Sequence, residues 1–277
     1  MEILEQDSSK IKVKFDSTIN QSLSSAIRRT LISDIETYAI DEVTVYSNTT
    51  FNIFSDSFIC KRLGLIPITC NGSSDVIDDL LIELNVKYDS TKTINDVHYI
   101  YTDSLIYDKN RIFINDNILI TCLFKNTDIH LKASICKGTG YKHRKWNHVR
   151  SPTCIEGPDK TYILSYEMIS CKNAGDVLKE AILIIRSNVS NLSELVISTT
   201  NGIHEIRYKD LGHTYGHLLQ SYFLKDKNIT YASYNCPNIN SKDLMIFKYS
   251  QKILTTNSIK KCKEDILKDI DIILKSL

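Results

Sequence analysis

The sequence lacks an excess of either charge. Its 277 residues carry 34 Lys and Arg against 33 Asp and Glu, a net charge of +1, which excludes the strong basic excess of a free-standing nucleic-acid binder. It also lacks a long apolar run. The longest uncharged apolar runs, such as Ala181 to Ile185, fall far short of the ~20 residues a membrane-spanning helix needs, so no membrane contact is expected. The opening MEILEQD is acidic and mixed rather than basic then apolar, which does not read as a secretory signal; a soluble, cytosolic protein is the expectation. No two of the eight cysteines (Cys60, Cys70, Cys122, Cys136, Cys154, Cys171, Cys236, Cys262) form a C-x-x-C clip, so they read as reduced, buried thiols. The N-x-S/T triplets at Asn48, Asn71, Asn188, Asn191 and Asn228 read as chance in such a chain. Missing too are the G-x-x-x-x-G-K-[ST] phosphate loop, the G-x-G-x-x-G dinucleotide fingerprint and the G-x-S-x-G elbow of hydrolases.

What is present is enough apolar side chain, 42%, for about two domains with their own cores. Ile11, Val13 and Phe15 alternate with Lys12, Lys14 and Asp16, the period of a half-buried strand. Leu23, Ala26, Ile27, Thr30 and Leu31 then recur at helical spacing as far as about Asp34, with Ser22 or Ser24 available as a cap. Tyr38–Tyr46 is rich in β-branched and aromatic residues and reads as a strand. From Asn48 to about Thr153 short strands alternate with turn residues. Near the end of that stretch, Lys137–Arg150 contains no acidic residue and holds the only tryptophan; it reads as a basic loop.

Further on, Tyr162–Met168 is a strand, and Asn173 caps a helix bearing Val177, Leu178, Ala181, Ile182, Ile185 and Val189. Strands follow at Leu195–Ser198, Glu205–Lys209, Ile229–Tyr234 and Leu244–Tyr249, with a helix at Gly216–Leu224. A terminal helix carries Ile259, Cys262, Ile266, Ile270 and Ile273 on one face. One text repeats. A helix, Asp34 and Thr37-Tyr38-Ala39 return as a helix, Asp226 and Thr230-Tyr231-Ala232, which suggests two copies of one αβ unit packed through equivalent helices.

The candidate chemistry is thin. Gly138-Thr139-Gly140 before Lys142 has the wrong spacing for phosphate. His143, His148 and Cys154 could converge on a metal, but their spacing does not fix a tetrahedral site. His213 and His217 share a helix face with no general base between them. Arg28-Arg29 is either a solvated pair or a fork for a partner's carboxylate or carbonyls. The apolar Arg62-Leu63-Gly64-Leu65-Ile66-Pro67-Ile68 is either core or covered by another chain.

These residues carry a resemblance. Ser25-Ala26-Ile27-Arg28-Arg29-Thr30-Leu31, Ala39-Ile40-Asp41-Glu42-Val43, Asn48-Thr49-Thr50 and Arg62 to Pro67 resemble, in order and spacing, the α-type assembly subunits of cellular RNA polymerases. Those are the archaeal D subunit and the third subunit of eukaryotic RNA polymerase II. Lys137 to Trp146 is similar to that family's basic loop, and Gly212-His213-Thr214-Tyr215-Gly216-His217-Leu218-Leu219 with Tyr231-Ala232-Ser233-Tyr234 and Pro237 resembles the smaller partner, the archaeal L or eleventh subunit. Ser25, Tyr215 and His217 depart from the family's usual Asn, Leu and Asn.

The resemblance implies an α+β fold in which two dimerisation halves form an intramolecular pseudo-dimer. The first half would span 1–45 and 155–190, interrupted by a mostly β inserted domain at 46–154, and the second would span 191–277. Leu23, Ala26, Ile27, Leu31, Leu218, Leu219, Ile266 and Ile270 would build the pseudo-dimer. Arg28, Arg29, Arg62, Leu63, Gly64, Leu65, Ile66, Pro67, Lys142, His143, Lys145 and Trp146 would contact other subunits. The implied function is a non-catalytic assembly platform for the largest and second-largest RNA polymerase subunits, with small adaptor subunits alongside. DNA and RNA would be met only through the complex, and no metal or cofactor is implied. Ile-, Asn- and Lys-rich usage together with a fused pair suggests a large DNA virus transcribing in the host cytoplasm, which would place the chain there and in the virion. The competing readings are a sequence-specific DNA-binding regulator and a metal-dependent enzyme.

Overall fold

The computed structural model describes residues 1–50, 53–70, 80–147, 149–169, 172–192, 198–238, 244–252 and 257–277. In chain order, β1 (Glu2–Gln6), β2 (Lys10–Phe15) and α1 (Gln21–Ser33) come first. They are followed by β3 (Glu36–Asn48), α2 (Asp56–Gly64), β4 (Ile68–Cys70), β5 (Leu81–Lys87), β6 (His98–Tyr101), β7 (Leu105–Ile106), β8 (Ile112–Ile114), β9 (Leu119–Leu123) and β10 (Asp128–Thr139). Then come β11 (Val149–Glu156), β12 (Tyr162–Met168), α3 (Ala174–Ser190), β13 (Ser198–Thr200) and β14 (Ile203–Tyr208). The chain closes with α4 (Gly212–Phe223), β15 (Ile229–Asn235), β16 (Met245–Gln251) and α5 (Ser258–Leu274). The fold is α+β, and the strand pairings are antiparallel.

Two compact units form: Met1–Asp34 with Val149–Met168 and Asn173–Leu277, and Ile35–His148 with Ile169–Lys172. The first cut falls before β3 rather than at 45, because β3 pairs with β10 from Glu36 to Asn48 and one continuous ladder cannot be divided.

The first unit holds two four-stranded sheets, ordered β1-β2-β12-β11 and β13-β14-β16-β15. Each is two hairpins with a helix after each hairpin: β1-β2-α1 and β11-β12-α3, then β13-β14-α4 and β15-β16-α5. The alternation in β2 does what a period of two requires: Ile11, Val13 and Phe15 are fully buried while the lysines between them are half-exposed. Helix α1 packs on α3 and α4, and α5 packs on the same two helices. The apolar stripes account for it. Leu23, Ile27 and Leu31 on α1, Ile182 and Ile185 on α3, Leu218 on α4, and Ile266 and Ile270 on α5 are all at most 1% exposed, each burial stabilising by ~1.5–3 kcal/mol.

Three local expectations are corrected. Helix α1 is capped by Asn20, whose Oδ1 accepts the Ser22 amide at 3.2 Å; Ser22 and Ser24 already lie inside the helix, and the Ser24 hydroxyl donates to the Gln21 carbonyl. Helix α4 starts at Gly212 rather than Gly216. Gly216 sits in the helix interior because the Tyr234 ring lies where a side chain would go, 2.3 Å from an ideal Cβ. The strand expected at Leu195–Ser198 falls mainly outside the described residues, β13 beginning at Ser198.

The second unit centres on a six-stranded sheet, β7-β5-β10-β3-β4-β8, with β6 and β9 paired separately. Ile129, Leu131, Ala133 and Ile135 of β10 point into one core with Ile40, Ile82 and Leu84. That core also takes Ile59 and Leu63 from α2, a helix inside the stretch read as strands and turns. Its signals are Ser55, whose Oγ accepts the Phe58 amide, and the spacing of Ile59, Leu63 and Ile66. Nine residues are too few for that period to stand out.

Candidate partner-contact surfaces

The basic segment is built around its tryptophan. Trp146 is 2% exposed. Its Nε1–H donates to the Cys136 carbonyl at 3.1 Å, and its own carbonyl accepts the Thr37 hydroxyl. Gly138 of β10 makes room for the ring, since an ideal Cβ there would stand 2.4 Å from the indole. The Lys145 and Lys142 ammonium groups lie 4.4 and 5.1 Å from the ring centroid, and Lys145 also pairs with Asp41. His143 meets the ring edge-on at 6.4 Å and accepts the Lys145 amide through Nδ1. The segment is therefore a pinned turn, Arg144–Trp146 being one turn of 3-10 helix.

The apolar text beginning at Arg62 comes to the same place. An ideal Cβ on Gly64 would lie 3.5 Å from the Ile40 carbonyl and 3.8 Å from Lys145 Cδ, so the last turn of α2 abuts the pinned turn. Within this text Leu63, Gly64 and Ile66 are buried, with Leu63 and Ile66 in the second unit's core. Leu63, Ile66 and Trp146 therefore bury their apolar surface within the second unit itself, and Gly64 is covered as well. Arg62, Leu65 and Pro67 keep accessible surface, Leu65 being 51% exposed. The Arg62 guanidinium lies 5.7 Å over the Phe58 ring and donates to the Leu119 carbonyl. Lys142 and His143 are exposed; the Lys145 side chain is largely covered.

On α1, Arg28 is half-buried and Arg29 exposed, on the side of the helix away from Leu23, Ile27 and Leu31. Among the described residues neither guanidinium makes a hydrogen bond or ion pair within the chain. Polar bonds instead link the helices. Asn188 of α3 donates to the Tyr215 hydroxyl of α4 at 2.6 Å, Tyr222 of α4 donates to Asp269 of α5 at 2.6 Å, and Arg186 of α3 pairs with Asp271 of α5 at 3.0 Å. Burial pushes the Tyr215 hydroxyl up to about 12. It raises Tyr222 as well, with Asp269 adding to the shift.

Among the described residues no group of three or more His, Cys, Asp or Glu is placed to hold a metal ion. Of the trio weighed for metal, His148 lies outside the described residues. His213 is exposed and meets the Tyr234 ring edge-on at 5.8 Å, which accounts for it by packing. Burial raises the Cys60 and Cys122 thiols above their ordinary range, which keeps them protonated and unreactive. Among the described residues no helix is long and apolar enough to cross a membrane. The contribution of α2 to this surface escaped sequence reasoning; Ser55 followed by Ile59 and Leu63 was the signal that could have found it. No protein-family model matches the chain.

Proposed function

We propose that this chain is a non-catalytic assembly platform of a multi-subunit DNA-dependent RNA polymerase. It gathers the largest and second-largest subunits, with small adaptors beside them, and the nucleotidyl-transfer chemistry belongs to the complex. The observation that carries this reading is the doubled order of the first unit, hairpin–helix–hairpin–helix twice over, with both sheets strung first-second-fourth-third. An exchange of α1 with α4 and α3 with α5 leaves the helix contacts unchanged, as an intramolecular pseudo-dimer of two α-type halves requires. The unpaired Arg28 and Arg29 on α1, and the α2–Trp146 surface of the second unit, support contact with other subunits. Such a chain works in the cytoplasm of an infected host cell, and in the virion, if its source is a large DNA virus.

The test is purification of the tagged chain from its native source at moderate salt, with components quantified by mass spectrometry. Two very large polymerase subunits in equal amount are expected. A chain that arrives alone refutes the reading, and DNA-binding and metal assays would then judge the regulator and the metalloenzyme.

A further inference from the structure

Two cations of the basic segment have a carboxylate within the second unit: Lys137 pairs with Glu36 and Lys145 with Asp41. Lys142 and Arg144, both exposed, have none among the described residues. Among the described residues Lys142 meets only the Trp146 ring, Arg144 meets nothing, and the exposed Lys61 in the last turn of α2 has no acidic partner. Tyr141, beside Lys142 in the chain, and Leu65, directly after Gly64 at the end of α2, are each 51% exposed. Lys142 is held in advance over the buried indole, so less ordering entropy remains to oppose binding there.

We infer that Tyr141, Lys142 and Arg144, next to the last turn of α2 that carries Lys61 and leads into Leu65, form a docking surface for an acidic polypeptide segment that alternates carboxylates with apolar side chains. Charge complementarity selects the occupant. Phosphate backbones are held by many basic contacts spread along a strand, whereas this surface is short, carries exposed apolar groups and belongs to a chain of net charge +1. The inference rests on the platform reading only for the class of the partner, a fellow subunit.

The test uses the complex purified from its native source and zero-length carbodiimide cross-linking, which joins lysine to carboxylate. Cross-links from Lys142 and Lys61 to Asp or Glu of a co-purifying polypeptide are expected. Lys142→Glu with Arg144→Glu should lower recovery of that polypeptide by roughly tenfold or more while Trp146 emission stays unchanged; Lys142→Arg with Arg144→Lys should retain it. No such cross-link, full recovery after charge reversal, or ultraviolet cross-linking of Tyr141 to nucleic acid in its place overturns the inference. The two readings fail separately. If the wild-type chain lacks the large subunits, the platform falls and the cross-links alone judge the surface; if charge reversal costs no component, the surface falls and the platform stands.

Discussion

Substitution of Gly138 by alanine tests the architecture of the basic segment at its tightest point. The added carbon would stand 2.4, 2.5 and 2.9 Å from three atoms of the Trp146 indole, closer than carbon atoms approach, and the ring is enclosed at 2% exposure. The ring must withdraw. That forfeits its Nε1–H bond to the Cys136 carbonyl and loosens the turn holding Lys142 to Lys145. Overpacking of this kind costs ~1–3 kcal/mol and the lost hydrogen bond ~0.5–1.5 kcal/mol, so Gly138→Ala should destabilise by about 2–4 kcal/mol in all. With a urea dependence of ~1–3 kcal/mol per molar, the unfolding midpoint should fall by about 1–2 M. Trp146 is the only tryptophan, so its emission reads this site alone and should shift to the red in the folded variant. Gly64→Ala is the control. Its nearest atoms lie at ordinary contact distances of 3.5 and 3.8 Å, and its place in a helix favours alanine by up to ~1 kcal/mol. Unchanged emission and midpoint in Gly138→Ala would refute the reasoning.

Arg28→Ala with Arg29→Ala should reduce recovery of the large polymerase subunits, a cost of ~2–5 kcal/mol if the pair is a buried contact in the complex, and leave the circular dichroism of the isolated chain intact; full recovery sinks that role. Asn20→Ala should cost about 1 kcal/mol as a lost cap, whereas Ser22→Ala, whose buried hydroxyl has no partner, should be near neutral or stabilising; urea melts of the two variants in the reverse order would contradict the capping geometry. Tyr215, with a folded value of about 12 against an ordinary 10, keeps its proton better when folded, so its stabilisation is complete below pH 10 and fades as pH rises from 10 toward 12. Melts across that range should fall less steeply with pH in Tyr215→Phe than in the wild type, and identical slopes would count against it. Gly216→Ala should drive Tyr234 off α4, given the 2.3 Å clash, and lower the melting temperature by several degrees.

Much of the fold was legible where one face of an element is dry and the other wet. Ile11, Val13 and Phe15 marked β2, Tyr162–Met168 marked β12 to the residue, and the isoleucines of α5 marked the terminal helix, because burial on one face imposes a period that a single sequence records. Asn173 was legible as a cap because its side chain acts on amides two and three residues away, within the reach of local reasoning. The repeated Asp and Thr-Tyr-Ala text did not mark the doubled order, since its first Thr-Tyr-Ala lies in β3 of the second unit and its second in β15 of the first.

The rest depended on partners far apart in sequence. No local rule tells a core tryptophan from a contact tryptophan, and Trp146 became buried only when Thr37, Cys136 and Gly138 closed around it. Gly216 looked like a helix boundary until the Tyr234 ring supplied the reason for a missing side chain. Leu63 and Ile66 could not be assigned to core or interface until α2 was seen lying over the second sheet. The sequence by itself determined the composition class, the amphipathic elements and their caps, which are local properties of backbone and hydration. Only the tertiary structure decided which charges are neutralised inside the chain, because pairing Lys145 with Asp41, while among the described residues Lys142 and Arg144 gain no acid, depends on distances across 104 residues of chain that no periodicity encodes.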